Sequence, residues 1–435
     1  MPFPTGDAVF LLLGFGSIAA SLQKSKSTTL ISTCVAGSVT LFALRAAWNT
    51  FAWLRKDAHS NATLVTNTQV KHIRVTGNRL PSPYPNAWYV VAVSKELKPG
   101  AVTSVTICGK NLVVFRPLKE PVAVLDAYCT HLGSHLGLGS QIGSVTTDCL
   151  KCPFHGWCFD RNGELRSAPT ADAPIGNQKA AIKSYNCLEK NGVILVWIDS
   201  TFFKSDTISE IPYSIPSISQ VEGSSATYIY KGFVENITDC HINDIAENGA
   251  DVSHLQTVHY PFVFPSMTPI LSHTWKATWN AGEGERVHIA DMTVDQNMCF
   301  LGLSLPGGVH VEIQQVGLSL VLLDMKTPLG RLFVIESVTP ISPLKQRVLH
   351  TVYADPAVPS FLVQLVMNAH IIHHEKDVPI WANKKYLGSG EALLIKSDSN
   401  ISLYRRWAKQ FINDKSLTFE EAMRTDLKVF NNLEW

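Results

Sequence analysis

Two short runs constrain this chain more than anything else in it: Cys129-Thr-His131-Leu-Gly133 and, with 20 residues between His131 and Cys152, Cys152-Pro-Phe-His155-Gly-Trp157. Each places a thiol and an imidazole two or three residues apart, within reach of a single tight loop. Two thiolates on one iron and two imidazoles on the other form the donor set of an asymmetric [2Fe–2S] cluster. Neutral imidazoles in place of anionic thiolates lower the net negative charge and raise the reduction potential, so the set implies one-electron chemistry. A structural zinc site is the competing reading, because Cys/His pairs bind zinc more often than they bind iron and sulfide. The uneven C-x-H and C-x-x-H spacing favours the cluster. So do the glycines, which let backbone amides approach sulfur, and apolar Leu132, Phe154 and Trp157, which could shield it.

The two loops resemble those of Rieske proteins. Cytochrome bc-type members of that family carry a further cysteine pair that joins the loops as a disulfide. Here Ser134 and Phe154 stand in those places, so the resemblance is to the oxygenase branch. Cys149 and Cys158 lie nearby but off pattern, and read as small buried hydrophobes.

A chain of 435 residues has room for two or three domains. A net charge of +1 gives no footing for nucleic-acid binding. Nine cysteines, an odd number, do not form a secreted disulfide framework. Reduced thiols beside an iron–sulfur cluster imply a catalytic part facing the cytosol. The sequons at Asn61, Asn236 and Asn400 then read as chance matches.

Residues 1–56 read as a membrane anchor. Ala8–Leu22 is a 15-residue apolar stretch and Leu30–Leu54 a 25-residue one interrupted by Arg45 and Asn49. A span needs about 20 apolar residues, which leaves one pass or two open. Trp48 and Trp53 suit an interfacial belt, and Arg55-Lys56 a cytosolic flank, as on the endoplasmic reticulum. A signal peptide competes for the first stretch, but its front end lacks Lys or Arg and carries Asp7. Buried core helices compete for both.

A polar linker over 57–85 ends in Arg79-Leu-Pro-Ser-Pro-Tyr-Pro. Short β-branched runs at Ala87–Val93, Val102–Ile107, Leu112–Phe115, Ala123–Asp126 and Gly192–Trp197 then place an all-β domain over 86–200. Beyond Pro212–Pro216 come a helical stretch near Asp239–His259 and strand-like runs at Thr274–Trp279, Val309–Val316, Leu318–Met325, Gly330–Thr339 and Val348–Tyr353. A helical part follows from about Val358. Residues 201–435 thus read as an α+β domain.

That domain holds a second cluster of donors, Asp251-Val-Ser-His254-Leu-Gln-Thr-Val-His259. Two imidazoles and a carboxylate make a facial triad for mononuclear Fe(II), with positions left open for O2. On an unbroken helix His254 and His259 would stand about 140° apart, so one iron takes both only if the helix ends or bends between them.

With this motif the chain resembles Rieske non-haem iron oxygenases over nearly everything after the anchor. The resemblance implies a helix-grip-like catalytic domain in which His254 and His259 bind the iron. Asp251 would bridge to His155 of a neighbouring subunit as an electron conduit, and Asn248 would line the iron site. It implies Asp377, in His373-His374-Glu375-Lys376-Asp377-Val-Pro-Ile-Trp381, as the third ligand, with Glu375 the runner-up. His373 and His374 read as a polar helix end. A homotrimer would bring the cluster of one subunit to the iron of the next. Electrons would come from NAD(P)H through a separate reductase, since no G-x-G-x-x-G or flavin motif occurs.

The anchor, Pro85-Asn-Ala-Trp-Tyr89 and Asp377–Trp381 resemble Neverland-type cholesterol 7-desaturases. That implies a membrane sterol substrate, with cholesterol desaturated to 7-dehydrocholesterol in steroid hormone synthesis. The alternatives are a steroid hydroxylase of the 3-ketosteroid 9α-hydroxylase type, an anchored Rieske electron carrier, and a steroid-binding protein without redox function.

Overall fold

The computed structural model describes residues 63–65, 80–140, 149–169, 180–203, 210–259, 271–305, 308–327, 330–387 and 391–431. The anchor expected over 1–56 lies outside them, as does most of the linker. Among the described residues no helix is long and apolar enough to cross a membrane.

After β1 (Thr63–Val65), which joins the edge of a larger sheet, the first part of the chain folds into three small sheets of three strands each. Strands β2 (Ala87–Val93), β3 (Val102–Ile107), β4 (Lys110–Phe115) and β5 (Ala123–Asp126) come first, then β6 (Leu150–Lys151), β7 (Cys158–Phe159) and β8 (Leu165–Ser167). Strands β9 (Cys187–Lys190) and β10 (Val193–Ile198) close the series. The sheets run β2-β10-β9, β3-β4-β5 and β6-β7-β8. Strand β10 is buried along its whole length, so its run Val-Ile-Leu-Val-Trp-Ile shows no polar alternation.

The second part is built on one large sheet. Its strands are β11 (Ile229–Thr238), β12 (Leu271–Ala281), β13 (Ile289–Phe300), β14 (Leu303–Ser304), β15 (Val309–Val316), β16 (Leu320–Thr327), β17 (Gly330–Ser342) and β18 (Lys345–Ala354). They line up as β1-β11-β18-β17-β16-β15-β13-β12, with β14 paired to β13. All neighbours are antiparallel except β1 on β11. Helices α1 (Ile242–Asn248) and α2 (Leu255–Val258) follow β11. Helices α3 (Ser360–Asn383), α4 (Ser399–Ala408) and α5 (Phe419–Asn431) follow β18.

The sheet is apolar on both faces. Val334 and Val352 pack with Val363 and Met367 of α3, while Phe333, Ile335 and Leu349 pack with Trp88, Val90 and Leu195 of the first part. The two parts are also tied by polar contacts. Cys108 N and Gly109 N donate to Pro340 O and Ile341 O at 2.7 and 2.8 Å, and the Ser319 hydroxyl donates to Trp88 O at 2.7 Å.

Helix α3 corrects one expectation. His373 and His374 are not at a helix end: the helix continues through Pro379 to Asn383. A proline removes one N–H donor and crowds the preceding turn, which is why the sequence reads as an ending there. Buried Val378 and Trp381, packed against Val338 and Val348, offset that penalty, at on the order of 2–3 kcal/mol for each buried side chain.

Candidate metal centres

The two cysteine loops share one backbone plan. Cys129 N donates to Ser134 O at 2.9 Å and Gly133 N to Cys129 O at 2.9 Å. In the second loop Cys152 N donates to Trp157 O at 2.7 Å and Gly156 N to Cys152 O at 3.1 Å. Four residues after each cysteine stands a left-handed glycine, Gly133 at φ 69° and Gly156 at φ 74°. These glycines turn the chain back within five residues, a conformation that L side chains rarely adopt.

The loops bring the imidazoles together, with His131 and His155 ring centroids 4.7 Å apart and His131 stacked on Trp157 at 4.5 Å. Cys129 and Cys152 are both buried and free of disulfides. Burial pushes the Cys129 thiol up to about 11, with Cys152 adding to the shift and backbone donors opposing it. A cluster that binds thiolates supplies the positive charge such a site lacks. The buried Nδ1 of His131 has no hydrogen-bond partner among the described residues, so the donor set fits the cluster.

Gly133→Ala would force a left-handed alanine where a Cβ meets nothing within 4 Å, so its cost comes from φ alone. We expect a loss of about 1 kcal/mol in urea unfolding and a lower yield of the cluster's visible absorption.

Leu132 and Phe154 stand at the outer edge of the site, 64% and 61% exposed, whereas Trp157 is buried. One expectation about this site fails. Cys149 and Cys158 are buried but not free: they are joined as a disulfide across the short β6–β7 hairpin. The pairing of Leu150 with Phe159 sets the two cysteines diagonally on one side of the ladder. That pair is therefore not part of a uniformly reduced set.

The second centre is assembled from three segments. Helix α1 stops at Asn248, a single 3-10 turn covers Val252–His254, and α2 is only four residues long. His254 ends the 3-10 turn and His259 stands just past the last residue of α2, so the helix ends between the two histidines, and their rings lie 5.0 Å apart. His259 Nε2 is 3.3 Å from Asp377 Oδ2, and the donor atoms of His254, His259 and Asp377 all lie within 4.8 Å of one another.

Asn248 Nδ2 reaches both sides of this centre, at 3.1 Å from His254 Nε2 and 3.2 Å from Asp377 Oδ2. The Asp251 carboxylate caps His254 N at 3.3 Å, and the Asp251 carbonyl accepts from His254 Nδ1. That bond fixes the tautomer and leaves Nε2 facing the other donors. Asp251 itself is half-buried. Asp377 is buried, whereas Glu375 points to solvent on the opposite side of α3. Neighbouring Glu247 holds α1 in place by a two-pronged contact with Arg405 of α4, at 2.7 and 3.0 Å.

Around the centre stand residues the sequence reading did not assign to it. The His373 ring is 4.8 Å from His259, and Trp275 6.4 Å. Burial, aided by nearby positive groups, pushes His273 down to about 4 and His373 lower still, so both remain neutral imidazoles at physiological pH. His373 lies four residues before Asp377, one helical turn, and that spacing was the available signal.

Comparison with known proteins covers the segments that hold both centres. The Rieske [2Fe-2S] domain profile matches residues 87–186, and the 3-ketosteroid 9alpha-hydroxylase C-terminal domain profile matches 204–412. The cholesterol 7-desaturase nvd of Xenopus laevis is 34% identical over 370 residues, 82% of this chain and 78% of that protein. The chain belongs to the cholesterol 7-desaturase family of Rieske oxygenases. A Drosophila melanogaster member is 32% identical over 79% of the chain and 78% of its own length. More distant is a Rhodococcus rhodochrous 3-ketosteroid-9-alpha-monooxygenase oxygenase component, 29% identical over 46% of the chain and 48% of that protein.

Among solved structures, Pseudomonas putida CBB5 NdmA with caffeine aligns at TM-score 0.56 and 18% identity, covering 78% of this chain and 93% of that one. Dicamba monooxygenase bound to dicamba aligns at 0.53 and 15%, covering 76% and 98%. They share the fold. As a Rieske oxygenase the chain uses a [2Fe–2S] cluster, mononuclear iron and O2, with NAD(P)H electrons delivered by a separate reductase.

Proposed function

We propose that this Rieske oxygenase desaturates a membrane sterol, removing the C7 and C8 hydrogens of cholesterol to give 7-dehydrocholesterol. The observation that carries this reading is the identity of about a third, over most of the chain, to proteins named cholesterol 7-desaturase. The step balances with one O2, two electrons from NAD(P)H through the reductase and two protons, releasing two waters. The iron supplies reductive O2 activation when bound.

This chain's own residues supply the rest. Cys129, Cys152, His131 and His155 hold the cluster, and His254, His259 and Asp377 hold the iron. Asn248 keeps the donor atoms of His254 and Asp377 in register. Asp251 orients His254 through its carbonyl, and its half-buried carboxylate is the group that meets His155 of a neighbouring subunit. Exposed Leu132 and Phe154 beside the half-buried cluster histidines suit a face covered by a second copy in a homotrimer. Residues 1–56 anchor the chain in the endoplasmic reticulum membrane, with Arg55-Lys56 setting the catalytic part on the cytosolic side.

The match to a 3-ketosteroid 9alpha-hydroxylase C-terminal domain favours one second reading, hydroxylation of a steroid. The two readings part after the first C–H is broken. Labelled cholesterol fed to cells expressing the chain should return a product two hydrogens lighter by mass spectrometry. A product one oxygen heavier would replace desaturation with hydroxylation, and unchanged sterol in cells holding an active reductase would sink both.

A further inference from the structure

We propose that Glu336, His350 and His370 form a second divalent-metal site of the zinc class, separate from both iron centres. Glu336 on β17 and His350 on β18 are direct cross-strand partners, and His370 reaches them from α3. Their donor atoms all lie within 4.8 Å of one another. Glu336 Oε2 is 3.4 Å from His350 Nε2 and 3.3 Å from His370 Nε2. Ligands held about 2.0–2.1 Å from a tetrahedral ion stand about 3.3–3.4 Å from one another, so two edges of the triad already have metal-site length.

The second observation is His350 itself, which is 0% exposed. Its Nδ1 has no hydrogen-bond partner among the described residues, and its Nε2 meets the Glu336 carboxylate at 3.4 Å. An imidazole kept in an apolar layer between Val334–Val352 and Val338–Val348 should find a partner or be replaced by an apolar side chain. A metal ion between Nε2 and the Glu336 carboxylate gives it one. Two imidazoles and one carboxylate form a donor set that takes zinc and keeps a fourth position open. Half-buried Glu336 and His370 leave an entry path.

The site would pin α3 to the sheet. His370 lies seven residues, two helical turns, before Asp377 on the same helix. A metal here therefore fixes the element that carries a ligand of the iron.

The test uses the untagged, cluster-loaded full chain, equilibrated with zinc sulfate, freed of loose metal and assayed by mass spectrometry for both elements. We expect about one zinc per chain beside about three irons. His370→Ala and Glu336→Gln should each lower bound zinc at least about tenfold with iron unchanged. His254→Ala should lose iron and keep zinc. Zinc at saturating concentration should raise the wild-type melting temperature by about 5 °C and leave that of His370→Ala unmoved. Zinc lost from His254→Ala but kept in His370→Ala would mean that it occupies the iron site, and would overturn the proposal. So would a wild-type chain that retains no zinc or shows no melting shift, whatever the variants do. In that case the triad is a metal-free ion pair.

Discussion

Asp377→Ala should purify with about two irons per chain in place of about three, its cluster spectrum intact and its turnover nearly abolished. The argument is geometric. Asp377 Oδ2 is the atom common to the contacts with His259 and Asn248, so its removal takes away the only carboxylate among the three clustered donors. Losing an outer partner of a metal ligand costs about 10–100-fold in affinity or activity, and losing a ligand should cost more. Glu375→Ala is the matched control, because that side chain faces solvent on the same helix and should retain iron and activity. Iron content unchanged in Asp377→Ala, or lost in Glu375→Ala, would move the third ligand elsewhere.

The residues that sequence reasoning reached are those whose chemistry is local. A thiol and an imidazole two or three positions apart can serve one cluster only through a tight loop, and the loops at Cys129 and Cys152 take that form. Strands such as Val102–Ile107 and Val309–Val316 are legible because β-branched residues recur between turn-forming ones. Strand Ile289–Phe300 is not: Asp291, Asp295 and Gln296 interrupt its apolar pattern, and it forms because it pairs with β12 on one side and β15 on the other.

The same limit hid side-chain partners distant in sequence. Nothing in the spacing of Glu336, His350 and His370 announces a triad, because cross-strand register and the path of α3 create it. The Cys149–Cys158 disulfide depends in the same way on a two-residue ladder too short to read. Leu132 and Phe154 sit in loops of the expected shape, but a loop's shape does not say which side faces solvent. Their exposure bears on assembly, which the sequence alone approached only by resemblance.

Two inactive chains should make an active mixture if electrons pass between subunits. Cys152→Ser removes a cluster ligand and leaves the iron donors intact; His254→Ala does the reverse. Each alone should turn over sterol near background. In a closed head-to-tail ring each subunit's cluster faces the next subunit's iron. After random 1:1 mixing, an intact cluster faces an intact iron at about one interface in four, so activity should recover to about a quarter of wild type. Transfer within one chain predicts no recovery, since no single chain then holds both centres. The two outcomes are far apart, and mass spectrometry of the mixed species shows whether subunits exchanged. Adding Asp251→Ala to the His254→Ala chain tests the route. That chain now contributes only its cluster, and its own Asp251 lies at an iron site already dead, so recovery should persist. Adding Asp251→Ala to the Cys152→Ser chain, whose iron site is the live one, should abolish it. Equal recovery in both arrangements would remove Asp251 from the electron path while leaving transfer between subunits in place.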